Sequence, residues 1–228
     1  QNTWRRDAEG CNPKLLTAEY KVGKIRPTLS VGGDLITFLG RAVDPATKEL
    51  VPGSVFWQMD TEGQNLRQVV NDTNCAFVAA SADRDWVVYT TRGDGIFRIW
   101  KAPLKGGEAV RLTDVDSTTP AISNDGRSVA YFIEEDGKPL RIGIISIDGG
   151  APLKTFVLPT TANTDAGIAW NKMGNGILFV NTLGTTSNLS TQPLDGSRPA
   201  PLTAFKEFQI AAFALNPEGT RLAIARGS

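Results

Sequence analysis

The sequence predicts an all-β chain built from a repeated four-stranded unit. Three observations predict it: a hairpin string that recurs five times, a second glycine-marked hairpin interleaved with it, and the lack of any helical apolar stripe. The string is clearest at Ser123-Asn124-Asp125-Gly126-Arg127, followed by Ser128-Val129-Ala130-Tyr131. A small polar residue opens the turn. Gly126 sits where a tight turn needs positive φ, and the apolar run closes the hairpin as its second strand. Equivalent strings begin at Ser30, Ser81, Asn171 and Asn216, giving spacings of 51, 42, 48 and 45 residues. A repeat of roughly 40–45 residues is that of a four-stranded propeller blade.

The second marker is a glycine in another turn: Gly63, Gly106, Gly149 and Gly196. It follows the first anchor by 33 residues and the next three by 25, 26 and 25. The first interval is longer because residues 40–53 carry a polar insertion, Asp44-Pro45-Ala46-Thr47-Lys48-Glu49. Each unit therefore holds two hairpins, with strands a, b, c and d. Whole units are expected over residues 24–72, 73–114, 115–160 and 161–204. Residues 1–17, with Trp4 six positions before Gly10 as Trp57 precedes Gly63 and Trp100 precedes Gly106, read as a c–d hairpin alone. Residues 207–228 read as the complementary a–b hairpin. The expectation is one domain over 1–228, a β-propeller of five blades whose last blade is shared by the two termini. The alternative is a fragment of a six- to eight-bladed ring.

Composition narrows the chemistry. Twenty-four basic residues balance twenty-four acidic ones, so no charge excess points to nucleic acid or a membrane surface. No apolar run approaches membrane-spanning length. Histidine is absent, which removes the commonest general base and metal ligand. Cys11 and Cys75 are too few for a disulfide scaffold and read as unrelated buried thiols. No nucleotide-binding loop occurs. Asp114-Val115-Asp116-Ser117 has part of a calcium-loop spacing but lacks the downstream Gly and Glu. Glu134-Glu135-Asp136 is the longest like-charge run and reads as a solvated loop. The repeated tryptophans read as packing between blades. No cofactor, metal site or catalytic set is expected.

The anchor strings 123–127 and Asn216-Pro217-Glu218-Gly219-Thr220, with Gln192-Pro193-Leu194-Asp195-Gly196 and Leu112-Thr113, resemble the repeats of the TolB-type propeller family. Arg84-Asp85 in the second anchor and Lys172-Met173-Gly174-Asn175 in the fourth depart from that pattern. The resemblance spans nearly the whole chain and implies a bacterial propeller, with an extracytoplasmic compartment favoured. The 215–226 string is most similar to propellers attached to bacterial serine/threonine kinases or winged-helix regulators.

In a propeller, the d-to-a and b-to-c connections gather at one mouth of the central channel, where binding loops are expected on a rigid scaffold. The candidate binding residues there are Asp44, Lys48, Glu49, Arg92, Asp94, Asp114, Asp116, Asp165 and Lys206. The 40–53 insertion is the largest departure from the repeat on that face. The expected function is a non-catalytic, monomeric scaffold that binds a protein or peptide partner at this face. The alternatives are a small-ligand sensory domain of a kinase or regulator, and the substrate-gating propeller of a prolyl-oligopeptidase-like hydrolase.

Overall fold

A computed structural model describes residues 4–5, 11–16, 24–29, 34–44, 46–47, 49–70, 72–81, 85–216 and 219–227, with the backbone alone for 4–5 and 24–29. Every regular element among them is a strand. β1 (Trp4–Arg5) and β2 (Lys14–Leu15) pair with each other. Four meander sheets follow in chain order. The first holds β3 (Lys24–Leu29), β4 (Leu35–Val43), β5 (Leu50–Asp60) and β6 (Arg67–Gln68). The second holds β7 (Cys75–Ala80), β8 (Trp86–Gly93), β9 (Ile96–Pro103) and β10 (Val110–Arg111). The third holds β11 (Ser117–Ile122), β12 (Ser128–Ile133), β13 (Arg141–Ser146) and β14 (Lys154–Val157). In the fourth, the first strand is split into β15 (Ala162–Asn163) and β16 (Ala169–Trp170), followed by β17 (Gly176–Leu183), β18 (Thr186–Pro193) and β19 (Ala200–Pro201). β20 (Gln209–Leu215) and β21 (Leu222–Gly227) form the last hairpin. The pair Trp4↔Leu15 keeps the sequence separation of Trp57↔Gln68, Trp100↔Arg111 and Ser190↔Pro201, so β1–β2 has c–d register.

Sheets stack face to face, which explains why the b strands read as unbroken apolar runs. Along β12, Val129, Tyr131 and Ile133 pack toward the second sheet with Val88 and Ile99. Ala130 and Phe132 point the other way, onto Trp170, Ile177 and Phe179 of the fourth. Alternate side chains leave opposite faces of a strand, and here both faces are covered. One position of the b strand holds an aromatic ring in every whole unit: Phe38, Tyr89, Tyr131 and Phe179, each no more than 3% exposed. Their c-strand partners are Trp57, Trp100, Gly143 and Ser190. Gly143 has a local reason: a Cβ there would lie 2.5 Å from Tyr131 Cζ. The ring occupies the space a larger c-strand residue would need. Trp170 Nε1 donates to Ala121 O across the sheet boundary (2.9 Å), as packing between blades requires. Cys75 is buried, but Cys11 is exposed, contrary to the expectation of two buried thiols. Residue 11 lies at the foot of the small β1–β2 sheet.

The anchor turns are held by their opening side chain. Ser123 Oγ accepts from Ser128 N–H (2.9 Å) and donates to Asp125 Oδ1 (2.5 Å). Asp125 Oδ1 also accepts Arg127 N–H (3.0 Å), and Gly126 has φ 73°. Ser81, Asn171 and Asn216 cap their own turns in the same way. The repeat is thus a capped turn, whose polar groups are consumed locally.

At the opposite end, β3, β7, β11 and β16 contact one another in series at the centre of the stack. β3, β7, β11 and β20 each carry one extra residue against their partner, a β-bulge between Ile25/Thr28, Cys75/Phe77, Thr118/Ala121 and Ile210/Ala212. In the fourth sheet the bulge has grown. Residues 164–168 leave the ladder between Asn163↔Val180 and Ala169↔Leu178. Bulges bend a strand and re-aim its side chains, and this row of them shapes the mouth.

Candidate functional site

The connections between hairpins form one face, as the repeat requires. Two contiguous clefts open on it, of about 640 Å³ and 310 Å³. Both are walled by Asp116, Glu134, Thr164 and Asp165. The wide arm continues along Glu135, Asp136, Lys138 and the hydroxyls of Thr160, Thr161 and Thr182. The narrow arm is closed by Phe77, Phe97, Arg92, Thr118 and Thr119. The 164–168 excursion supplies Thr164 and Asp165, so the bulged first strand of the fourth sheet builds one wall.

Internal donors hold two of the carboxylates. Phe97 N–H donates to Asp116 Oδ1 (3.0 Å), which ties the loop before β11 to the start of β9. Glu134 N–H donates to Asp116 O (3.0 Å), and Thr118 Oγ1 donates to Glu134 Oε1 (2.6 Å). Lys138 pairs with Glu135 (3.0 Å), and Arg141 contacts the same carboxylate. Arg92 lies 5.5 Å from the Phe97 ring centroid and donates through Nε to Gly95 O (3.2 Å). The Asp165 carboxylate makes no hydrogen bond or ion pair among the described residues; only its backbone N–H is engaged, with Asn163 Oδ1 (2.6 Å).

Thr119 is the unusual residue of the mouth. It occupies the bulge of β11 with φ 53°, in the left-handed region that a β-branched residue rarely enters. It is 8% exposed, and its Oγ1 is buried without a hydrogen-bond partner among the described residues. Strain of this kind costs about 1–3 kcal/mol, and an unpartnered buried hydroxyl costs about 1–3 kcal/mol more.

Of the residues expected to bind, Arg92, Asp116 and Asp165 are brought together in the cleft. Asp44 and Glu49 sit at the tip of the first sheet's hairpin. There Val43↔Leu50 pair, and Asp44 Oδ1 accepts from Ala46 N–H (2.7 Å) and Thr47 N–H (2.9 Å). The insertion is thus an extension of β4 and β5 capped by Asp44, and its described residues line neither cleft; Lys48 lies outside the described residues. Asp94 points to solvent near Arg98 (3.6 Å), Asp114 pairs with Arg111 (2.7 Å), and Lys206 is exposed beside the β18–β20 contact. Asp114 and Asp116 therefore face different partners, and no group of three metal-ligating side chains occurs among the described residues. Reasoning from sequence passed over Glu134 and Thr119. The run 134–136 reads as solvated charge, and a one-residue bulge leaves no mark on an apolar pattern.

No protein-family model matches the chain, and no curated protein matches it in sequence. Solved structures match its fold. TolB from Acinetobacter baumannii superposes with a TM-score of 0.66 at 19% identity, over 83% of this chain and 45% of that one. A protein assigned as TolB from Agrobacterium tumefaciens gives 0.63 at 14%, over 95% and 94%. Oligogalacturonate lyase in complex with manganese gives 0.67 at 11%, over 97% and 67%. The chain thus spans under half the length of the Acinetobacter protein. The fold is that of a β-propeller domain, of which TolB-type propellers are one kind among its structural neighbours.

Proposed function

We propose that this propeller is a non-catalytic scaffold that holds a protein or peptide segment against its loop-rich face. The carrying observation is the continuous two-armed cleft at the mouth, built from connections of three successive sheets around Asp116, Glu134, Thr164 and Asp165. Small-molecule sites are mostly apolar with a few polar groups. This cleft is lined mainly by carboxylates and hydroxyls and crosses three successive sheets, which favours an extended segment. The absence of histidine from the chain supports a binding role over acid–base catalysis.

The test is peptide display against the immobilised protein, followed by affinity measurements on cleft variants. Enriched peptides should lose binding to Asp116→Ala/Asp165→Ala and keep it with Met173→Ala, which lies on the opposite face. Enriched peptides that ignore the cleft variants would contradict the reading. A thermal-shift hit with a metabolite, abolished by the same cleft variants, would favour the sensory-domain alternative.

A further inference from the structure

We infer that the cleft selects a cationic segment, a lysine- or arginine-bearing stretch of extended peptide. The inference rests on the loop face being the docking surface and adds the chemistry of what docks there. Five carboxylates and two cations line the arms. Lys138 is paired with Glu135, while Arg92, held against Phe97 and by Gly95 O, is the one cation left to set against the other four carboxylates. Asp116, Glu134, Asp136 and Asp165 have no Lys or Arg within ion-pair distance among the described residues. Asp116 and Glu134 are also fixed in place by Phe97 N–H and the Thr118 hydroxyl. Like charges held on a rigid frame repel, and an incoming cation relieves that repulsion while steering its own approach.

A second observation is independent of charge. Thr119 lines the narrow arm, is nine-tenths buried, and its Oγ1 has no hydrogen-bond partner among the described residues. Buried hydroxyls are almost always paired; this one has almost no accessible surface, so an occupant could pair it only by seating deeply enough to shift the lining of the arm. An ammonium group carries three donors. Phe77, in the same arm, suits the aliphatic stem behind it. The carboxylates do not converge into a group able to hold a metal ion. Their spread along the cleft fits several cationic side chains on one strand of peptide better than a single free cation.

The experiment uses the whole chain and three fluorescein-labelled peptides of equal length, bearing lysine, glutamine or glutamate at alternate positions. Anisotropy at low and high salt should rank lysine above glutamine by about tenfold, and glutamine above glutamate, with the lysine advantage shrinking as salt rises. Asp116→Asn/Glu134→Gln/Asp165→Asn should weaken the lysine peptide by about tenfold or more. Asp125→Asn/Asp148→Asn/Asp195→Asn, an equal charge change at the turns, should stay within about twofold. Thr119→Val should weaken it a few-fold at every salt concentration. Melting curves check folding, and the single Asp165→Asn variant, whose carboxylate has no partner to lose, serves if the triple variant fails to fold. Equal binding of all three peptides, lost in the cleft variant, would overturn the cationic assignment and leave the docking face standing. Equal losses in the cleft and turn variants would overturn the cleft as the cationic site. Binding of spermidine as tight as the lysine peptide would overturn the peptide as occupant, and no binding of any peptide would overturn both readings.

Discussion

The two ends of the β11–β12 hairpin use the same kinds of residue to opposite effect. At the turn end, Ser123, Asn124 and Asp125 spend their polar atoms on neighbouring donors and acceptors. Asn124 Nδ2 even reaches Asn171 O and Lys172 O of the next sheet (3.0 and 3.1 Å). The hydrogen bond from the Ser123 hydroxyl, with Arg127 N–H beside it, holds the Asp125 carboxyl below its ordinary range. At the mouth end, Asp116 and Glu134 are oriented but keep carboxylate oxygens facing the cleft, while Thr119 is strained and its hydroxyl unpartnered. Hydroxyl and carboxylate groups stabilise the first end and leave the second open to an occupant. The difference lies in the bulge: one extra residue in β11 withdraws Thr119 from the ladder that satisfies its neighbours.

The comparison can be broken most severely in the middle of the hairpin. Gly143→Val puts side-chain atoms into the Tyr131 ring and should cost about 3 kcal/mol, read as a lower urea midpoint. Both ends should suffer, since Tyr131 sets their shared register. Raising pH tests the same place without mutation. Burial pushes the Tyr131 hydroxyl from its ordinary 10.0 up to about 12. The unfolded chain ionises first, so this stabilising contribution is complete below pH 10 and is lost as pH rises toward 12, by on the order of 2 kcal/mol. Chemical denaturation across that range checks it, and Tyr131→Phe should make the decline shallower, with the remainder carried by Tyr89 and Cys75, whose burial pushes them up as well.

Smaller changes separate the two ends. Ser123→Ala strips Ser128 N–H of its side-chain acceptor and should lower stability by about 1 kcal/mol. Thr119→Gly relieves the positive φ and removes the unpartnered hydroxyl. Set against the entropy of the added glycine and the buried side-chain packing it removes, the net should be a gain of about 1–2 kcal/mol. Opposite signs for these two substitutions would sharpen the contrast; a loss at both would erase it.

Much of the fold is readable in the chain because its repeat is made of local chemistry. A capping Ser or Asn, a positive-φ glycine and a two-sided apolar strand are all written within about ten residues. The face that carries the cleft is readable too, since it follows from strand order, and of the nine residues expected to bind there Arg92, Asp116 and Asp165 line that cleft. What escapes is what depends on register and long-range placement. The bulge at Thr119 and the 164–168 excursion change which residues oppose each other without changing the apolar pattern. Glu134 differs from its neighbour Glu135 only in what the fold sets beside it: Thr118 and Asp116 for one, Lys138 and Arg141 for the other. The 40–53 insertion stands out in sequence because it breaks the repeat, yet pairing of Val43 with Leu50 turns it into an ordinary longer hairpin.

The most direct test of a mouth built for binding and turns built for stability is one matched pair of variants. Asp116→Asn/Glu134→Gln and Ser123→Ala/Asp125→Asn would each be measured by urea denaturation and by anisotropy with the lysine peptide. The mouth variant should keep its urea midpoint and lose the peptide, while the turn variant should lose stability and keep the peptide. A mouth variant that unfolds as readily as the turn variant and still binds the peptide would contradict this.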